Sequence, residues 1–389
     1  MRHIGNPFVR GLKAVFIEHR LPWKLQHILD QLFPAPVEPY AVVSFNPLIV
    51  IVPHPIHRQQ EYKTKWKAFL KVLKEKRVYF LCRIQHSIEM ERAVNAVEEG
   101  YLNHKKDYPT HEFTYLANTP KELELLNKRG ISAIFCNQNA FIDEDVFKPI
   151  PGVEKKYDAI YNARFIEVKR HYLAAKIKKL ALLTYFTAES REERDLNEYK
   201  NILPDAVMLN WDGLALKAIH NINDYKRMLY DKIPECLNQA RVGLALSAKT
   251  MVRNGLITSG EGANYAAAEY LLCGLPVVST ESMGGREVFF DDEYVKIVDD
   301  TPDAVREGVE ELIRRNIPPE YVREKTLEIM RPHRKRFIKL IQEIYDKENV
   351  HRNFADEFKE KIILNKAFIH SKTLKYLDKR SVKRDLKIS

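Results

Sequence analysis

Glu261-Gly-Ala-Asn-Tyr-Ala-Ala-Ala-Glu269-Tyr-Leu-Leu-Cys-Gly-Leu-Pro-Val-Val-Ser-Thr280 sets two carboxylates around a run of small residues, then a Gly-Pro turn and a short apolar run. The order predicts a loop carrying Glu261, a helix that begins just after it, a turn and a buried parallel strand. Gly262 and Ala263 leave room for a ligand to approach the backbone, and Ala266, Ala267 and Ala268 propagate a helix well. The free N–H groups at the start of such a helix suit a phosphate. Glu269 falls two turns on, on roughly the same face. Gly274 ends the helix and Pro276 prevents its continuation. Carboxylate spacing alone fits a helix with two solvated Glu residues. The turn, strand and following Gly284-Gly-Arg-Glu287 loop, all in order, point instead to a ligand site.

On these residues the chain resembles the retaining nucleotide-sugar glycosyltransferases of the two-Rossmann (GT-B) fold, family 4 in particular. That family carries a Glu, seven residues and a second Glu, then a Cys-Gly-x-Pro-Val-Val type turn and strand and a Gly-Gly-x-x-Glu type loop. The resemblance implies that Glu261 contacts donor-sugar hydroxyls and that Glu269 holds the nucleotide ribose. It also implies donor contacts from Gly262, Ala263, Asn264, Gly284 and Gly285.

Upstream, Asn162-Ala163-Arg164 follows a predicted strand and Lys169-Arg170-His171 is expected to open the next helix. Across such a strand-to-helix turn both cations converge on one diphosphate, Arg164 as a bidentate fork and Lys169 as a movable point charge. The helix terminus would add its partial positive charge. The spacing is similar to the family's Gly-Arg-x-x-x-x-Lys segment, with Ala163 in place of the usual Gly. Two basic side chains can stand in for a divalent metal, so no cofactor and no metal are expected. In the first half the resemblance places His86 at the cleft near the donor sugar. His54 and His57 have no evident third ligand for a metal. The family's Gly-Gly loop after the first strand is missing: Glu18-His-Arg-Leu-Pro-Trp-Lys24 stands there instead.

Apolar runs alternate with helical patterns along the whole chain, which predicts α/β structure with parallel sheets. Strands are expected at Ala14–Ile17, Tyr40–Val43, Ile49–Val52, Val78–Cys82, Phe113–Leu116 and Ala133–Cys136. After a Pro/Gly-rich linker at Lys148–Lys156 they resume at Ala159–Tyr161, Ala181–Thr184, Ala206–Leu209, Val242–Leu246, Pro276–Ser279 and Val295–Val298. In the first half, helices are expected near Trp23–Phe33, Tyr62–Glu75, Glu89–Glu99 and Pro120–Arg129. The expected organisation is a Rossmann-like acceptor domain over 1–152, a Rossmann-like donor domain over 153–345, and a basic C-terminal helical segment over 346–389. In this fold the C-terminal helix commonly crosses back to the first domain.

The chain has 389 residues and a net charge of +10, from 63 Lys and Arg against 53 Asp and Glu. Four scattered cysteines form no Cys-x-x-Cys pair and read as small buried hydrophobes. No signal-peptide pattern opens the sequence, and the longest apolar stretch, Val42–Val52, is broken by Asn46 and Pro47. The expected address is the cytoplasm. Lys366, Lys372, Lys375, Lys379, Arg380, Lys383, Arg384 and Lys387 interleave with apolar residues near the end of the chain. Two readings of that segment stay open: a helix docking on an anionic membrane at its inner face, or a helix packed back on the protein.

The reading that accounts for most of these features is sugar transfer from a nucleoside diphosphate sugar to a glycan, glycolipid or surface-polysaccharide precursor. Retention of configuration comes from the resemblance alone. A nucleotide-sugar 2-epimerase would share the donor site without needing an acceptor. A nucleic-acid-binding protein would use the positive charge and the 19 Tyr and 18 Phe. Those aromatics fall mostly in core patterns and no recognised nucleic-acid motif appears, so no nucleic-acid partner is expected.

Overall fold

The computed structural model describes residues 40–52, 55, 70–71, 73–184, 192–226, 228–253, 255–362 and 374–375. The expected strand at Ala14–Ile17, the loop Glu18–Lys24, the helix near Trp23–Phe33, His54 and His57 lie outside them. So do most of the expected helix Tyr62–Glu75 and most of the basic C-terminal residues.

The first unit holds β1 (Tyr40–Phe45), β2 (Leu48–Val52), β3 (Val78–Arg83), α1 (Glu91–Asp107), β4 (His111–Ala117), α2 (Pro120–Asn127) and β5 (Ala133–Phe135). Strands β2 to β5 run parallel, in sequence order. The outer strand β1 is antiparallel to β2, a hairpin where parallel pairing was expected. An apolar run looks the same from either pairing, and only the two-residue connection 46–47 forces the reversal. Helix α2 starts as its sequence predicts: Thr119 caps it by accepting from the Glu122 N–H at 3.0 Å, and Pro120 takes the first position. Helix α1 runs eight residues past the expected Glu99.

The second unit opens with β6 (Tyr157–Asn162), β7 (Leu180–Leu183), α3 (Glu192–Ile202), β8 (Val207–Met208), β9 (Leu214–Ala215), α4 (Ile233–Leu237) and β10 (Ala240–Ala245). A separate hairpin, β11 (Thr250–Arg253) and β12 (Leu256–Ser259), follows. Then come α5 (Tyr265–Leu272), β13 (Val277–Ser279), β14 (Val295–Ile297), α6 (Pro302–Arg315), α7 (Pro319–Lys347) and α8 (Phe354–Lys361). The sheet order is β14-β13-β10-β6-β7-β8-β9. Counted from β6 and leaving out the antiparallel edge strand β9, this is 3-2-1-4-5-6, all parallel. That is the dinucleotide-fold order. Its switch point, where ligands bind outside the strands' carboxyl ends, lies between β6 and β10.

Helix α7 crosses from the second unit to the first. Near its start Arg323 donates to the Leu272 carbonyl at 3.1 Å and to Phe147 O at 2.7 Å. Midway, Arg334 grips Glu144 through two bonds of 2.6 Å, and Arg336 donates to Phe135 O at 2.6 Å. At its end Lys347 pairs with Glu112 at 2.7 Å. Phe337, Ile341 and Tyr345 on this helix, with Phe354 and Phe358 of α8, join one buried core to Ile49 and Leu81 of the first sheet, Leu271 of α5 and Val277 of the second sheet. Separate cores cover the other face of each sheet. Two residues beyond α8, Leu374–Lys375, form β15 against β1. All four cysteines are buried and unpaired. Among the described residues no helix is long and apolar enough to cross a membrane.

Candidate functional site

The carboxyl ends of β6 and β10 present Asn162-Ala163-Arg164 and Leu246-Ser247-Ala248 at the switch point. The chain leaving β6 does not open an α-helix, contrary to expectation. It makes two 3-10 turns, Glu167–Lys169 and His171–Ala174, with Arg170 between them in the left-handed region at φ 49°. The local bonds explain this. Tyr161 Oη donates to Lys169 O at 2.6 Å, and the Ala248 N–H takes Val168 O at 2.8 Å. Both carbonyls are thereby engaged by groups outside the turn and not by a helical ladder. The expected helix-terminus charge at Lys169 is accordingly missing.

Lys169, 7% exposed, aims its ammonium at Glu261 and also donates to Ser247 Oγ at 3.2 Å. The other Glu261 oxygen accepts from Asn264 Nδ2 at 2.9 Å. Asn264 also caps α5, accepting from the Ala266 N–H at 2.7 Å. The helix therefore begins at Tyr265, later than the sequence suggests, and Asn264 occupies its terminus. Glu261 sits in the loop before it.

A third cation completes the cluster. Arg286, 2% exposed, donates to Thr280 O at 2.9 Å and Ser247 O at 3.3 Å, tying together the carboxyl ends of β13 and β10. Burial acts to raise the Glu261 pKa, but the charge and hydrogen bond of Lys169, with help from Ser247 and Arg286, hold it below the usual carboxylate range. Burial lowers the Lys169 pKa; Glu261 pulls it back up, while Arg286 and Arg164 push it further down. Arg286 is itself pulled down by burial, against the attraction of Glu261. Lys169 and Arg286 thus act on one carboxylate, Arg164 adds its charge beside Lys169, and the balance favours an anion.

Glu269 lies 0% exposed on α5, accepting from Asn162 Nδ2 at 3.3 Å behind the end of β6. The Gly284–Gly285 loop is shaped by Glu287, whose carboxylate accepts from the Gly285 N–H at 3.0 Å and from Ser282 Oγ at 2.8 Å.

The first unit's carboxyl ends meet these same loops. His86 is exposed in the loop after β3. A Cβ at Gly262 would stand 2.4 Å from Gln85 O and 3.4 Å from the His86 Cα, and one at Gly284 would stand 2.6 Å from the Ser87 Cβ. The nearest neighbour of each of these two glycines is therefore a first-unit residue. After β5, Gln138 donates to Ala263 O at 2.7 Å, Asn139 to Asn264 O at 2.9 Å and Asn137 to Gly285 O at 2.7 Å. The structure brings together Arg164, Lys169, Glu261, Asn264 and Arg286 on one unit, with His86 at the facing edge and Glu269 behind. Arg286 and the three amides are absent from the site expected from sequence. The amides' one signal is their place after a predicted strand. Among the described residues no group of three or more His, Cys, Asp or Glu could hold a metal ion.

No family model matches the chain, and no curated protein matches it. Solved structures similar to it include a glycosyltransferase from Rickettsia africae ESF-5, 14% identical, covering 90% of this chain and 84% of its own, with a TM-score of 0.49. Sucrose-phosphate synthase from Thermosynechococcus elongatus is 13% identical over 87% of this chain and 78% of its own, at 0.48. Anabaena HepE in complex with UDP is 11% identical over 72% and 76%, at 0.47.

Proposed function

We propose that this protein is a glycosyltransferase moving a sugar from a nucleoside diphosphate sugar to a glycan, glycolipid or surface-polysaccharide precursor, with retention of configuration. The observation that carries the reading is the Lys169–Glu261 pair at the β6/β10 switch point, flanked by Arg164 and Arg286 and faced by the first unit. In such a transfer the bond from the anomeric carbon to the phosphate oxygen breaks. The acceptor oxygen bonds to that carbon on the same face, and its proton passes to the departing phosphate. Negative charge grows on the diphosphate, so fixed cations stabilise the transition state more than the ground state. Glu261 orients the sugar; its ion pair and low pKa keep it ionised and suited to accepting sugar hydroxyls.

Because side-chain cations supply the positive charge, turnover is expected to persist in EDTA. The test follows nucleoside diphosphate release from a panel of UDP-, GDP-, ADP- and TDP-sugars, with candidate glycan and glycolipid acceptors, in EDTA and in magnesium. Release from one donor in EDTA supports the reading. Strict dependence on magnesium contradicts the role given to the cations. The basic segment near the C-terminus, by its composition, would bring the acceptor-bearing anionic membrane to the enzyme.

A further inference from the structure

We infer that Asn137, Gln138 and Asn139 are positioning residues through which the first unit sets the sugar-contacting geometry of Glu261; the inference rests on the glycosyltransfer reading. The three are consecutive, in the 3-10 turn region after β5, and are 0%, 5% and 0% exposed. Each sends its side-chain amide across the gap to a backbone carbonyl of the second unit. Gln138 and Asn139 reach Ala263 and Asn264, in the loop that carries Glu261. Asn137 reaches Gly285, next to Arg286. The cluster is thus gripped on both sides by one short stretch of the other unit.

The grip is itself braced. The Gln138 N–H donates to Asn118 Oδ1 at 2.9 Å, and Asn137 Nδ2 also donates to Asn118 O at 2.8 Å. The Asn118 N–H in turn donates to Glu122 at 2.8 Å. Arg83 donates to Gln138 Oε1 at 3.2 Å and to the Tyr265 hydroxyl at 2.6 Å, adding a bond to the first residue of α5. From α7, His333 Nδ1 accepts the Asn137 N–H at 3.2 Å. Among the described residues the Asn139 side-chain oxygen is buried with no hydrogen-bond partner. Its amide is oriented by the bond from Nδ2 to Asn264 O.

Asn264 is the link that matters. Its carbonyl is held by Asn139 while its own amide holds Glu261 Oε2. Lys169, Arg164 and Arg286, by contrast, all belong to the second unit. Diphosphate binding and sugar placement should therefore separate. With the amides removed, the cations still hold the diphosphate, but the Glu261 loop loses its fixed position.

The test is calorimetry on the full chain and on Gln138→Met and Asn139→Leu, which keep side-chain size and remove the donor. The probes are UDP, GDP, ADP and TDP, each with its glucose, galactose and mannose conjugates. The quantity read is the gain in affinity from adding the sugar to the nucleotide that binds. In the variants nucleotide affinity should stay within about threefold of wild type, which also reports folding. The sugar's gain should fall about tenfold or more, as for loss of a charged hydrogen bond. Glu261→Gln should lose the same gain, and combining it with Asn139→Leu should lose little further. A sugar gain intact in the variants, or absent from wild type, overturns the inference alone, as does parallel loss of nucleotide and sugar affinity. A wild type that binds none of the nucleotides overturns the glycosyltransfer reading as well.

Discussion

Lys169 reports the site's electrostatics most directly, because it is buried, paired with Glu261 and surrounded by further positive charge. Lys169→Met should lower turnover by about 100- to 1000-fold, the usual cost of removing one preorganised contact to developing charge; steady-state donor consumption measures it. Glu261 also links this site to acid stability. Its folded pKa lies below its unfolded value, so its contribution is present above that unfolded value and is lost as pH falls through the folded one. Lys169→Met should remove most of this dependence, visible in denaturant midpoints between about pH 5 and 3. Arg164, Lys169 and Glu261 were legible because each follows a predicted strand or precedes a capped helix. Arg286 was not, because an Arg between glycines and Glu287 reads as a surface loop until the fold buries it.

Among the elements, the two loops that face the first unit leave no room for a side chain at Gly262. Gly262→Ala puts a methyl group 2.4 Å from the Gln85 carbonyl oxygen, a backbone atom that can retreat only if the units part. Turnover should fall about 100-fold, the scale expected for a displacement near 1 Å, while nucleotide affinity stays near wild type; kinetics and calorimetry together check this. Six strands of the second sheet were readable as apolar runs between turns, and α2 as the helix expected near Pro120–Arg129. Three features were not. The β1–β2 hairpin hides because burial on both faces gives the same apolar run in either direction. The turns after β6 hide because their cause is Tyr161 and Ala248 taking backbone groups from elsewhere in the chain. The β11–β12 hairpin, with Val252 70% and Ile257 61% exposed, lacks the buried face that makes a strand stand out.

At the scale of the whole molecule, α7 and the amides of Asn137–Asn139 join the two units into one body with a continuous core. Four buried histidines make that body sensitive to acid. His111 Nε2 lies 3.0 Å from Leu73 O, which can only accept, so the neutral His111 ring accepts at Nδ1 from His104 Nε2 at 2.9 Å. Both rings are neutral in this chain of bonds. Burial, reinforced by the neighbouring His111 and Lys105, holds His104 down to about 3. Burial does the same to His171, to about 3, and to His333, to about 4, with Lys169 and Arg336 adding to it. All are lowered, so the unfolded chain binds more protons, and stability is lost as pH falls from the unfolded value near 6.5. Each histidine should contribute about 1.4 kcal/mol per pH unit below that. Denaturant midpoints from pH 7 to 5 should fall steeply, and His104→Gln should flatten the slope by one histidine's share.

In the proposed reaction the β6/β10 crevice would hold a diphosphate on Lys169 and its neighbouring cations. Calorimetric titration of wild type and Lys169→Met with a nucleoside, its monophosphate and its diphosphate, in EDTA, tests it most directly. Affinity should rise steeply from nucleoside to diphosphate in wild type, and Lys169→Met should lose most of that rise. Equal affinities along the series, or a rise that survives in Lys169→Met, would rule out a diphosphate site on these cations.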